Sequence, residues 1–343
     1  MTAAAEFVEI SDPSLLPAAP LVSVHMLTYR HAPFIAQAIE GVLAQQTDFP
    51  IELIIAEDCS PDQTLTIALE YQRRRPDLIR ILTLDRNVGM FANASRLSVA
   101  NRGRYIAACE GDDYWHHPHK LQLQMDLMRS DPGMVLCHTD YDRRIGRRVK
   151  KSHHALERRS RIAAGNAYVD LLHEWTVMTA TTVYRADVVR DFQLSPFNRL
   201  DWPFGDYNLA LFASLQGRVG YIPVSTATWR KVFNSASNSG FTRTLRLRVA
   251  DFECKEMFMA KYPVAEEVRR SVLTEAHEII LRDAFCAGDK AECQRAYETM
   301  KALGKTPSSV LQRLRMLTMQ LVLPLWAVQF FRNALLVVTT RWL

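Results

Sequence analysis

The sequence predicts an α/β protein whose core is a doubly wound, mostly parallel sheet flanked by helices, followed by a helical C-terminal extension. Three observations carry this. Apolar, β-branched runs alternate with segments of helical period from residue 21 to residue 110, in the order strand, helix, strand, helix, strand, helix, strand. The runs are apolar throughout, as in strands covered on both faces. From about residue 243 the strand signals stop and the chain reads as helical. A chain of 343 residues, 48% of them hydrophobic, suits one large α/β domain with such an extension.

Each element has its own reason. "LVSVHMLT" (21–28) is a short β-branched run, hence a strand. "PFIAQAIEGVLAQQ" (33–46) opens with Pro33 and places Phe34, Ile35, Ala38, Ile39, Val42 and Leu43 on one helical face. "IELIIAED" (51–58) is the second strand. In "SPDQTLTIALEYQRRR" (60–75), Ser60 is expected to cap a helix with Pro61 at its first position. "IRILTL" (79–84), the helix "VGMFANASRLSVANR" (88–102) and the strand "RYIAACE" (104–110) complete the unit. Beyond it lie a helix after residue 117, a strand over 134–140, a strand over 179–185, a helix over 205–217 and two strands over 218–223 and 225–231. A helical hairpin broken at Gly288 follows.

The expected organisation is a flexible lead-in over 1–19, the doubly wound α/β domain over 20–240, a helical extension over 241–312 and an apolar segment over 313–343. The N-terminus lacks the basic and apolar regions of a secretory signal. The six cysteines form no C-x-x-C pair and read as reduced thiols of a cytosolic protein. Net charge is +5, and its distribution matters more than its size. Residues 143–161 hold nine Arg or Lys and one acid. No aromatic interleaving accompanies them, so a solvated loop or hairpin, or a surface for anionic lipid or a phosphorylated acceptor, is expected rather than a nucleic-acid site.

The chemistry concentrates at strand tips. Glu57-Asp58 ends one apolar run and Glu110-Gly111-Asp112-Asp113 ends another, at the carboxyl edge where open α/β sheets bind ligands. Adjacent carboxylates repel, and oxygen-only donors select a hard divalent cation, Mn²⁺ or Mg²⁺, that completes its shell with water and phosphate oxygens. A solvated acidic turn is the plain alternative for one such pair; a second pair at a neighbouring tip argues against it. His116, His117 and His119 follow the second cluster without partners at zinc spacing and read as a solvated helix start.

The ordered stretches "VSVHMLTYRHAPFIAQAIEGVLAQQ", "IELIIAEDCSPDQT" and "RNVGMFANASRLSVANRGRYIAACEGDDYW" resemble the family 2 glycosyltransferases, whose fold is called GT-A. The resemblance covers about residues 20–235. It implies that Thr28, Tyr29 and Arg30 form the entry to a nucleotide site, and that Asp58 hydrogen-bonds the base of a nucleotide sugar, usually uracil. Asn87 and Gly89 fit the family's loop beside the nucleotide. Asp112 is expected near the ribose and Asp113 on the metal bridging the diphosphate. "WPFGDYNLALFASLQG" resembles the segment carrying the general base, which makes Asp206 the candidate; a carboxylate that merely favours the helix dipole is the alternative.

Two features depart from the family pattern. Arg30 stands where Asn is usual. Val232 replaces a histidine of the later Tyr-Arg-x-His segment, so the diphosphate contact falls to Arg230 with Lys231. The Ser- and Asn-rich 234–240 suits a lid. The resemblance implies an inverting, metal-dependent transferase that takes a UDP-linked sugar to a hydroxyl of a glycan or lipid-linked acceptor in cell-envelope polysaccharide synthesis. A nucleotidyltransferase would show a Gly-rich loop after the first strand, which "TYRHAP" lacks; an inactive homologue serving as an assembly scaffold would not need the four aspartates. Residues 313–343, with Trp326, Trp342 and flanking arginines, suit either a segment lying in the membrane interface or a helix packed on the domain or in a homodimer. The first gives a cytoplasmic protein peripheral to the inner face of the membrane.

Overall fold

The four apolar runs become four adjacent parallel strands in the computed structural model, which describes residues 7–153, 162–232 and 240–305. In order, β1 (Val8–Ile10), β2 (Val22–Thr28), α1 (Ile35–Leu43), β3 (Ile51–Glu57), α2 (Thr64–Arg74), β4 (Ile79–Thr83), α3 (Met90–Ala100) and β5 (Tyr105–Ala108) form the predicted unit. Then come β6 (Tyr114–Trp115), α4 (Lys120–Ser130), β7 (Met134–Ile145), β8 (Arg148–Lys150), α5 (Tyr168–His173), a 3₁₀ turn (Thr179–Thr181), β9 (Val183–Arg185), α6 (Ala186–Leu194), α7 (Asp206–Gln216) and β10 (Arg218–Lys231). The sheet order is β1-β4-β3-β2-β5-β9-β7-β10-β6, with β8 paired to β7. β9 runs antiparallel to both β5 and β7, and β10 is parallel to β7. All four central strands, β7 and β10 therefore point the same way.

Register brings the acidic tips level. β2 pairs with β3 from Val22↔Ile51 to Thr28↔Glu57, so the two strands end opposite one another. β5 starts level with Val22. After Ala108 the chain stays against β2, Cys109 N donating to His25 O at 3.0 Å and Gly111 N to Leu27 O at 2.9 Å. This places Asp112 and Asp113 just beyond Thr28. β10 carries register shifts between Ile222 and Ala227, and its end pairs with β6 through Thr228↔Tyr114. That bend delivers Arg230 to the acidic tip. Every residue of β3 is buried, as a strand with both faces covered requires.

Several expectations change. The 1–19 segment is not wholly a lead-in: Val8–Ile10 pairs antiparallel with β4, covering a sheet edge that would otherwise expose unpaired backbone groups. Ser60 does not cap α2. The helix starts at Thr64, whose N–H donates to Asp62 Oδ1 at 3.0 Å, while Ser60 Oγ accepts the Arg30 N–H at 3.0 Å. The two strands expected over 218–231 are one strand. The basic stretch begins as the β7–β8 hairpin, turning at Gly146 with φ 57°; residues 154–161 lie outside the described residues. So do 234–239 of the expected lid and the whole 313–343 segment.

The chain divides into two compact units, residues 1–232 and 233–343. In the second, α8 (Phe241–Lys261), α9 (Glu266–Ala287) and α10 (Lys290–Ala302) bury a core that includes Leu245, Leu281, Phe285 and Met300. The break at Gly288 is real: it sits in the left-handed region at φ 76°, and Asp289 caps α10 by accepting from Glu292 N at 3.0 Å. No helix among the described residues is long and apolar enough to cross a membrane.

A buried ionic network ties β1, β2, β3 and β4 together. Fully buried Glu52 accepts from Ser23 Oγ at 2.6 Å, Arg80 Nη1 at 3.1 Å and Arg102 Nε at 2.8 Å. Arg80 also donates to both carboxylate oxygens of Glu9, at 2.8 and 3.0 Å. Such a network is stable only when every member is matched. Glu52→Ala therefore leaves excess buried positive charge and is expected to lower stability by about 3–5 kcal/mol, read as a lower urea midpoint with unchanged slope; a midpoint within error of the parent would show that the network is not holding this edge.

Candidate active site

The first wall of the site is built where β2 and β3 end. Thr28 is buried, and its hydroxyl lies 3.2 Å from His31 Nδ1. Tyr29 is partly exposed, with the Arg30 guanidinium 5.2 Å from its ring centroid. Arg30 adopts φ 58°, a left-handed conformation that a non-glycine residue rarely takes, held by the Ser60 hydroxyl. Asp58 is buried. Its two carboxylate oxygens accept the Val88 and Gly89 backbone N–H groups, each at 2.9 Å, and its carbonyl accepts Asn87 Nδ2 at 3.0 Å. Asp58 and Asn87 thus shape one loop. Gly89, at φ 85°, lets that loop turn into α3.

The second wall is the acidic tip. Gly111 lies so close to β2 that an added Cβ would sit 2.6 Å from the Thr28 hydroxyl oxygen and 2.8 Å from His31 Nδ1. Only glycine lets the chain pass there. Asp113 is buried, and its Oδ1 accepts the Arg230 N–H at 2.8 Å. Arg230 returns to the same turn, with Nη1 donating to Asp112 O at 2.9 Å and Nη2 bonded to Gln37. Its guanidinium also lies over the Phe34 and Tyr114 rings, 5.1 and 4.6 Å from their centroids. Asp112 is more open and stands 3.9 Å from His31 Nε2.

Burial and mutual repulsion set the acidities. Asp113 is held well above the usual carboxylate range by burial first, then by Asp112 and Glu110. Burial, Asp112 and Asp206 push Glu110 up to about 8. Asp206 lies far along the chain, yet its charge acts on Glu110. It opens α7, its Oδ2 accepting the Thr179 hydroxyl at 2.7 Å and its Oδ1 the Tyr207 N–H at 3.0 Å. Burial raises Asp206 above its ordinary value, and the Thr179 hydrogen bond is the largest influence lowering it.

Among the described residues no three His, Cys, Asp or Glu side chains form a metal cage. The donor set is instead oxygen-only and concentrated at Asp112 and Asp113, where burial and then the neighbouring carboxylates disfavour the charged form of Asp113. That fits a hard divalent cation bound through one or two carboxylates, with phosphate oxygens completing its shell. The neighbouring histidines do other work. His116 lies 3.1 Å from Thr228 Oγ1 and 3.0 Å from Ser225 O, fastening β6 to β10.

The fold brings Thr28, Asp112, Asp113, Arg230 and, through Glu110, Asp206 to one edge of the sheet, with Asp58 and Asn87 at the tip of β3. His31, Gln37, Arg96 and Thr179 were not legible as site residues. Arg96 offered one signal, a charge on the α3 face shared by Asn93, Leu97 and Ala100. It is buried, and its Nη2 lies 3.7 Å from Asp58 Oδ1 and donates to Glu57 O at 3.1 Å. Thr179 belongs to no motif, and Gln37, inside the first quoted stretch, reads there only as a polar helix residue.

Comparison with known proteins agrees with this geometry. Residues 23–192 match the family described as glycosyl transferase family 2. An uncharacterized protein of Mycobacterium tuberculosis is 40% identical over 116 residues, 34% of each chain. Chondroitin synthase of Escherichia coli is 31% identical over 121 residues, 35% of this chain and 17% of that one. The match thus spans about a third or less of these relatives' length. A mannosyltransferase from Pyrobaculum calidifontis, solved with GDP-Man and Mn²⁺, superposes with a TM-score of 0.59 over 92% of this chain and 84% of that one, at 14% identity. The fold is of the GT-A type. The family match ends before Asp206 and Arg230, which join the site through α7 and β10. Through residues 23–192, the chain belongs to glycosyl transferase family 2.

Proposed function

We propose that the protein is an inverting glycosyltransferase that moves a sugar from a nucleoside diphosphate donor, UDP-linked, to a hydroxyl of a glycan or lipid-linked acceptor in polysaccharide synthesis. The observation that carries this reading is the convergence of Asp112, Asp113 and Asp206 on Glu110: Asp112 and Asp206 both act on Glu110, and Glu110 in turn acts on Asp113. Asp58, with the 87–89 loop it holds, is the surface for the base. Asp112 and Asp113 face the ribose and diphosphate, and Arg230 adds positive charge at the same turn. Mn²⁺ or Mg²⁺ bound at Asp113 would neutralise charge building on the leaving diphosphate.

The chain's own part in the reaction is proton removal and positioning. The acceptor oxygen attacks the anomeric carbon, the bond from that carbon to the diphosphate oxygen breaks, and the hydroxyl proton passes to Asp206. Inversion follows from this single displacement. Thr179 donates to one oxygen of Asp206 and so fixes the orientation of the carboxylate. Its burial makes Asp206 a stronger base than an exposed aspartate, closer to the acidity that suits proton transfer near neutral pH.

Asp113→Ala is expected to abolish metal-dependent binding of UDP in calorimetry while the fold stays intact, and Asp58→Ala to weaken UDP binding even without metal. Wild-type UDP and metal binding by Asp113→Ala would remove the assignment. Asp206→Asn is expected to leave donor binding nearly unchanged and to cut kcat by roughly 10²–10⁴. Because the folded-state pKa of Asp206 is raised, the folded protein holds its proton more tightly than the unfolded chain, and stability falls as pH rises through that interval. Asp206→Asn is therefore also expected to raise Tm at pH 7.

The acid limb of the pH–rate profile should lie above the ordinary aspartate value of 3.8. Removing the Thr179 hydroxyl with Thr179→Val raises the Asp206 pKa further, so this limb should move to higher pH. Thr179→Ser should restore it. A limb that stays in place in the valine variant would put the base elsewhere.

A further inference from the structure

At the opposite edge of the sheet from Asp112 and Asp113, the start of β5 and the β9–α6 junction line a half-open cavity of about 640 Å³. Four arginines line it, Arg102, Arg104, Arg185 and Arg190, together with Tyr105 and one acid, Asp187. They arrive on two segments. Tyr105↔Arg185 is a register pair of β5 and β9, and Ala186 N donates to Arg104 O at 2.9 Å, so the two arginine-bearing segments are fixed against each other by backbone bonds. The cavity is therefore a product of the sheet rather than of a loose surface loop.

The charges do not balance. Arg102 is engaged by buried Glu52, and Arg185 by Asp187. Among the described residues Arg190 meets only Asp191, at 3.6 Å, with both side chains more than half exposed, an arrangement that holds little energy. The Arg104 guanidinium, unlike its backbone carbonyl, has no hydrogen-bond or ion-pair partner among the described residues. Two guanidinium groups are thus available beside two that are already positioned. Guanidinium forks match the oxygens of phosphate bidentately and give up water more readily than ammonium groups. A cavity of this size also holds more than a bare ion, and the Tyr105 side chain offers a surface for an attached ring.

We propose that this cavity is a second ligand site, separate from the donor site, that takes a small phosphomonoester such as a free sugar phosphate, with Arg104 and Arg190 as its principal contacts. Neither residue belongs to the catalytic edge, and neither is needed to balance a buried acid.

The test is calorimetry of the full chain with inorganic phosphate and with glucose 6-phosphate, in the presence of saturating UDP and Mn²⁺ to fill the donor site. Saturable binding is expected, tighter for the hexose phosphate and weakened roughly tenfold by each of Arg104→Ala and Arg190→Ala. Asp113→Ala should leave it unchanged, which separates this site from the donor site. Basal transfer should be unaffected by the arginine substitutions. Absence of saturable binding, binding lost with Asp113→Ala, binding displaced by UDP, or binding to phosphatidic acid vesicles with none to the soluble phosphates would each overturn the proposal. Arg104→Lys keeps the charge but not the fork; full affinity in that variant would also overturn the bidentate role.

Discussion

The structure turns on a cost: Glu110, Asp112, Asp113 and Asp206 are crowded onto one partly water-excluded edge, where burial, and for Glu110 and Asp113 neighbouring negative charge, makes Glu110, Asp113 and Asp206 hold their protons more tightly than ordinary carboxylates. Each neighbouring feature offsets it. Arg230 donates its backbone N–H to Asp113 and its side chain to the Asp112 carbonyl. Thr179 and the Tyr207 amide serve Asp206. What remains uncompensated is the capacity to take up a cation or a proton, and that residual capacity makes the edge chemically useful.

The parallel sheet explains why the charges meet there. Strands that run the same way end on the same side, so acids at the ends of separate apolar runs become neighbours without any long-range sequence code. Position within that edge is then set by finer contacts. The Cys109 and Gly111 amides keep the chain pressed against β2. The missing side chain of Gly111 allows the approach beside Thr28 and His31. Irregular pairing along β10 brings its last residues back over the tip. Stability and function are separated spatially: the Glu52–Arg80–Arg102 network locks the strand starts, while the strained Arg30 and the buried acids gather at the strand ends.

The segment beyond the family match also contributes to the candidate site. Asp206 and Arg230 come from α7 and β10, whose hydrophobic patterns by themselves read as an ordinary helix and strand. Thr179 comes from a turn that is itself held in place. Trp115 Nε1 donates to Ala180 O at 2.7 Å, and Gln124 Nε2 donates to Thr181 O at 2.8 Å. Beneath Trp115, Lys120 sits 4.2 Å from the ring centroid, its ammonium pushed down to about 7 by burial. Trp115, two residues after Asp113, and Thr179, which donates to Asp206, are thus parts of one packed unit.

The sequence by itself determined the parallel core, because uninterrupted apolar runs separated by helical periods have few other ways to bury themselves. It also determined the acidic tips, since carboxylates placed directly after buried strands must emerge at the sheet edge. It identified Asp206 and Arg230 as candidates only through a resemblance, and said nothing of what they touch. The tertiary structure decided the rest. Pairing of β1 with β4 follows from an exposed edge that no local pattern reveals. The cap expected at Ser60 gave way because its hydroxyl serves Arg30 instead. His31, Gln37, Thr179 and the arginine cavity arise from contacts between segments far apart in the chain. Hydrophobic periodicity records which face of an element is buried; it does not record which distant side chain will lie opposite.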